Sequence, residues 1–181
     1  VHGFPGDYRL KEGDIVSVDC GTKYKGYFGD SAYTFGVGQV SQAAEHLMQT
    51  TRESLYKGIE KAVAGNRIGD IGAAVQNYVE ARGFSVVREM VGHGIGSNLH
   101  ESPDVPNYGR PGQGKHLEEG MVICIEPMIN QGGCGVYLER DGWTLRTADN
   151  KNSAHYELTV VIRKQQAEIL STFAFIEGKT I

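Results

Sequence analysis

The chain has 181 residues, enough for one domain with a sizeable core. Its formal charge of −4 argues against a nucleic-acid surface, which needs clustered Lys and Arg. Three cysteines, an odd number without a C-x-x-C pair, make a disulfide framework the wrong expectation and point to a reducing, cytoplasmic compartment.

No apolar run reaches the roughly 20 residues of a membrane span, so no membrane contact is expected. The 25 glycines follow no fixed period and signal tight turns. The chain opens at Val1 in what already reads as structure, so an N-terminal piece is expected to be missing.

In chain order, His2 to Asp14 is rich in turn residues. Ile15 to Cys20 predicts a strand, Lys23 to Tyr27 a bend, and Phe28 to Val37 the returning arm. Asp19 and Asp30 lie on these two arms, where the bend can bring them together; read singly, each is also an ordinary turn or cap residue. From Gln42 to Val63, Leu47, Met48, Thr51, Leu55, Ile59 and Ala62 recur at helical spacing, with Ser41 as the cap. A second helix is predicted from about Asp70 to Arg82, stopped by Gly83. Both helices are expected to cover a sheet.

Phe84 to Val91 predicts a strand leading into Gly92-His93-Gly94-Ile95-Gly96 and His100-Glu101. Asn107 to His116 is a loop by composition, and Met121 to Glu126 is a strand stopped by Pro127. Trp143 to Thr147 and Ala154 to Arg163 look like arms of one hairpin, and Glu168 to Phe175 like a last strand.

The chemistry rests on misplaced charge. Glu126 and Glu157 sit in apolar strand patterns with no Lys or Arg beside them. Burying one ionised carboxylate alone costs several kcal/mol, and a metal ion removes that cost. Four carboxylates with His93 form a mostly hard set suited to manganese, iron, cobalt or zinc. Bridging carboxylates point to two ions about 3.5–4 Å apart. His93 by itself would read as a hydrogen-bonded core histidine; its company gives it the ligand role. Cys20 and Cys124 are expected to pack as small hydrophobes beside the site. A phosphate-loop ending at Gly178-Lys179-Thr180 fails because Phe173 stands where its leading glycine is required.

Taken together, Ser17-Val18-Asp19, Gly29-Asp30-Ser31, Gly92 to Gly96 with His100-Glu101-Ser102-Pro103, Ile125-Glu126-Pro127-Met128, Asp141-Gly142-Trp143-Thr144 and Ser153 to Glu157 resemble type I methionine aminopeptidase, over nearly the whole chain. The resemblance implies a single catalytic domain over 1–181. Its α/β pita-bread fold would be an antiparallel sheet covered by helices, with two pseudo-symmetric halves around a dinuclear metal site. The first half would lack its N-terminal segment.

The same resemblance implies that Asp19 and Asp30 bind one ion, His93 and Glu126 the other, and that Asp30 and Glu157 bridge. Glu126 would shuttle the proton of an activated water, His100 would face the tetrahedral intermediate, and His2 would contact the scissile amide. Leu99 and Trp143 would line the methionine pocket. The substrates would be N-termini of nascent polypeptides with a small second residue, met near the ribosome by a monomer. Leu99 stands where the family usually has an aromatic residue. His155 and Leu158 stand for a glutamine and a histidine; neither is a ligand by this resemblance, so altered hydrogen bonding around the site is expected. Two other readings are a proline-directed relative of the same fold and a non-catalytic binding protein. The 31-residue separation of Glu126 and Glu157 (157−126) favours the type I enzyme.

Overall fold

The computed structural model describes residues 2–178. Val1, Lys179, Thr180 and Ile181 lie outside that range.

Strand β1 (Ile15–Asp19) is followed by a small hairpin, β2 (Thr22–Tyr24) and β3 (Tyr27–Gly29), and then by β4 (Ser31–Gly36). The hairpin turn places Lys25 and Gly26 at positive φ, the twist that matches two right-handed strands. Beyond it β4 returns along β1, pairing Asp19 with Ala32.

Helix α1 (Gln42–Ile59) begins at Ser41, whose hydroxyl accepts the Ala44 amide hydrogen at 3.2 Å. Helix α2 (Ile68–Glu80) begins two residues before Asp70. Asp70 sits in its first turn, and its carboxylate accepts from the Arg67 backbone N–H at 2.7 Å. Leu47, Leu55, Ile71 and Val75 from the two helices join Ile123, Ile125, Leu158 and Val160 from the sheet in one core.

The second half of the sequence supplies β5 (Ser85–Val86), β6 (Gly92–Gly94), β7 (Glu101–Val105), β8 (Val122–Ile125), β9 (Met128–Asn130), β10 (Val136–Leu138), β11 (Leu145–Thr147), β12 (Ser153–His155), β13 (Glu157–Val161) and β14 (Glu168–Ile169). The main sheet runs β1-β4-β13-β8-β6-β7, every pairing antiparallel, with β14 beside β13. A smaller sheet runs β12-β9-β5.

Three expectations change, the first being the strand predicted over residues 84–91, of which only Ser85–Val86 is strand before β6 begins at Gly92. Trp143–Thr147 and Ala154–Arg163 are not partners: β11 pairs with β10, while β12 pairs with β9 and β13 enters the main sheet. The cause is local. The Asp141 carboxylate accepts from the Trp143 and Thr144 amides at 2.9 and 2.8 Å, closing a turn before β11 and folding it back on β10. The strand predicted over Glu168–Phe175 stops at Ile169, after which turns carry Phe173 into the core against Tyr33.

Candidate metal centre

Each acidic residue singled out by sequence lies at or next to a strand end of the main sheet, Asp19 on its exposed edge strand and the others further in. Asp19 ends β1, Asp30 links β3 to β4, Glu126 follows β8 and Glu157 opens β13. The register makes these positions neighbours: Ala32 faces both Asp19 and Glu157, and Leu158 faces Ile125. Glu157 is 1% exposed, Asp30 7% and Glu126 8%.

His93 enters from β6. A Cβ on Gly92 would stand 2.4 Å from the Cys124 carbonyl oxygen, and one on Gly94 2.4 Å from that of Ser102. Both glycines are therefore required by the close approach of β8 and β7. The pairing of β6 with β7 shifts register between Gly92 and Gly94, an irregularity that re-aims the residue between them.

The His93 ring donates from Nδ1 to the Gly94 carbonyl at 2.9 Å. Burial holds its pKa below the ordinary value, so the ring is neutral and Nε2 carries a lone pair. That lone pair is 3.5 Å from Glu126 Oε1. On the other side of the same carboxylate, His155 Nε2 is 3.5 Å from Oε2. Lone pairs facing one another at this distance need a cation or a proton between them.

The electrostatics agree. Burial pushes Glu126 up to about 9, with Asp19 and Asp30 adding to the rise. Glu157 is pushed up to about 10 by burial and then by Glu126, Asp30 and Asp19. Asp19 and Asp30 are raised too, desolvation first. Like charges this close cannot all ionise unaided. Among the described residues no Lys or Arg forms an ion pair with any of the four.

Three groups of possible donors arise, each with its ligand atoms within 4.8 Å of one another: Asp19–Asp30–Glu157, Glu126–His155–Glu157 and His93–Cys124–Glu157. Glu157 belongs to all three, and its Oε1 has no hydrogen-bond partner. These observations fit a divalent metal centre built mainly from oxygen donors. Cys124 is buried and its thiol pKa is raised far above normal by burial and by Glu157, so it stays protonated and packs as a small apolar residue.

The carboxylates form the floor of a cavity of about 390 Å³, whose wall includes His2, His93, His100 and Trp143. His100 stands edge-on to His93, ring centroids 4.3 Å apart. His2 stacks on Trp143 at 4.3 Å, and its carbonyl accepts from the Leu145 amide at 3.2 Å, tying the first residues to the β10–β11 hairpin. Leu99 lies apart from that wall, its Cδ1 3.1 Å from where a Gly21 Cβ would be. Glu89, Met90, Val91 and Asp104 also line the cavity. Their only signal in the sequence is proximity to His93, directly or across the β6–β7 pair. Asn107, fully buried, donates to the Glu126 carbonyl at 3.0 Å, and no local pattern in the sequence marks it.

The comparisons with known proteins agree with this geometry. The model of metallopeptidase family M24 matches residues 1–164. A methionine aminopeptidase of Clostridium perfringens is 58% identical over 94% of this chain, which spans 69% of that relative. The crystal structure of a methionine aminopeptidase from Thermotoga maritima, 47% identical, superposes with a TM-score of 0.87 over 89% of this chain and 65% of its own. A Pyrococcus horikoshii prolidase shares the fold more distantly, at 27% identity and a TM-score of 0.73, over 92% of this chain and 42% of its own. The chain thus spans about two thirds of the methionine aminopeptidases it matches, and the antiparallel sheet with its helical cover is the pita-bread fold. On its sequence, its fold and its carboxylate cluster, the chain belongs to metallopeptidase family M24, on the methionine aminopeptidase branch.

Proposed function

We propose that this chain is the catalytic domain of an enzyme that removes the N-terminal methionine from polypeptides with a small second residue. Asp19, Asp30, His93, Glu126 and Glu157 hold two divalent ions, drawn from cobalt, manganese, iron and zinc. When bound, such ions polarise the scissile carbonyl and lower the pKa of a nearby water.

The chain's own residues supply the rest. Glu126, between two imidazoles at the cavity floor, takes the proton of the attacking water and returns it to the leaving amine. His100, beside His93 in the cavity wall, donates a hydrogen bond to the developing oxyanion. His2, steadied by its stack on Trp143, contacts the scissile amide. Trp143, in the cavity wall, offers an apolar surface for the methionine side chain, whereas Leu99 packs toward Gly21 outside that wall. The protein is read as a monomer acting in the cytoplasm on nascent chains near the ribosome. Among the described residues no helix is long and apolar enough to cross a membrane.

The observation that carries this reading is the buried, cation-free cluster of Asp30, Glu126 and Glu157 facing a cavity. Turnover of Met-Gly-Gly and of X-Pro peptides tests it, after reconstitution with each metal. Hydrolysis of Met-Gly-Gly with X-Pro left intact is expected; preference for X-Pro would replace this reading with the proline-directed one. Failure to retain any divalent ion at neutral pH would leave a binding protein instead.

A further inference from the structure

His155 is one residue the five-ligand reading leaves without a task. It is 3% exposed, and neither ring nitrogen has a hydrogen-bond partner. A buried imidazole left this way costs free energy that a structural histidine avoids by hydrogen bonding.

The ring is also held in place. The Thr34 hydroxyl accepts from the His155 amide at 2.9 Å and donates to its carbonyl at 2.7 Å. The next residue, Tyr156, donates its hydroxyl to the Thr34 carbonyl at 2.9 Å. The backbone at His155 is thereby clamped to β4, with Nε2 3.5 Å from Glu126 Oε2.

That separation is too long for an N–H···O bond. It is close to the spacing of two donors on one cation, because metal–nitrogen and metal–oxygen bonds of about 2.0–2.2 Å place tetrahedral ligand atoms about 3.4 Å apart. His93 Nε2 stands at the same 3.5 Å from the other oxygen of this carboxylate. Glu126 is therefore flanked by two imidazoles in matching positions, and His155 shares a donor group with Glu126 and Glu157.

We propose that His155 is a sixth donor of the centre, its Nε2 joining Glu126 and Glu157 on a divalent cation. This rests on the reading that the carboxylate cluster binds divalent ions, and it departs from the expectation that position 155 only adjusts surrounding hydrogen bonds. A second imidazole softens the set, so cobalt and zinc gain over manganese relative to a site with one.

The test uses the whole chain loaded with Co(II). Ring N–H protons of coordinated histidines appear as exchangeable, paramagnetically shifted proton resonances, and wild type should show two, from His93 and His155. His155→Gln should show one, with Co(II) affinity lowered about 10- to 100-fold and Mn(II) affinity lowered less. A single resonance in wild type would overturn the proposal, and so would unchanged Co(II) affinity in a folded His155→Gln. The wild-type spectrum decides the matter even if the variant misfolds. Absence of Co(II) binding by wild type would instead bring down the underlying metal reading, so the two failures are distinguishable.

Discussion

Glu157 shows how one side chain comes to organise a site. It is nearly inaccessible, one of its oxygens has no partner, and three donor groups converge on it. Removing it leaves its neighbours with no common ligand. Glu157→Ala is expected to lower both bound metal and Met-Gly-Gly turnover by at least about 10²-fold, with metal analysis and kinetics read on the same sample. His93→Ala should lower both as well; an unchanged rate in either variant would contradict the assigned ligands. Trp143 differs, because it is 45% exposed at the rim and touches His2 rather than the carboxylates. Trp143→Ala should raise KM for methionyl peptides about tenfold while bound metal stays at its wild-type level, the pattern of lost side-chain contact.

At the scale of elements, short strands deliver the side chains and close backbone packing holds the strands. Gly92 admits no side chain because the Cys124 carbonyl lies against it. Gly92→Ala must push β6 away from β8, at a cost of about 1–3 kcal/mol or more, measured by urea unfolding. At Gly133 a Cβ would have no neighbour within 4 Å, so Gly133→Ala should be close to neutral and serves as the comparison. The helices are simpler. Ser41 caps α1 with one hydrogen bond, and Ser41→Ala should cost about 1 kcal/mol without changing bound metal. Both helices and their inward faces are legible from spacing, since helical periodicity is a local property. The β10–β11 pairing is not, because several strands in this region have similar patterns and only the Asp141 turn decides which of them meet.

For the molecule as a whole, folding concentrates negative charge where water is excluded, so stability is tied to metal and to protons. Glu126 and Glu157 are raised from 4.5 to about 9 and about 10 in the folded chain. Between about pH 7 and 9, where the buried His93 and His155 are neutral in both states, the metal-free folded state therefore binds more protons than the unfolded state. Stability must then fall as pH rises through that window. In chelator, the Tm is expected to be lower at pH 9 than at pH 7. Saturation with Mn(II) should raise the Tm and flatten or reverse this slope, since a cation at 100 times its Kd adds about 2.7 kcal/mol. A chelated protein whose Tm rises with pH across the same interval would show that the carboxylates are not coupled as described.

The sequence by itself determined the chemistry on offer. Acids in apolar strands without cations, and a histidine between glycines, pointed to Asp19, Asp30, His93, Glu126 and Glu157 as candidate donors, because burial penalties act on residue type and local pattern. It also led to the helices and to the family. Only the tertiary structure decided which donors share an ion-sized space, that Gly92 and Gly94 serve strand contact, and that Asn107 and His155 belong beside Glu126. The physical reason is sequence distance. Thr34 and His155 meet across 121 positions, and Asn107 reaches the Glu126 carbonyl across 19. Long-range strand register, which no local pattern encodes, sets both contacts.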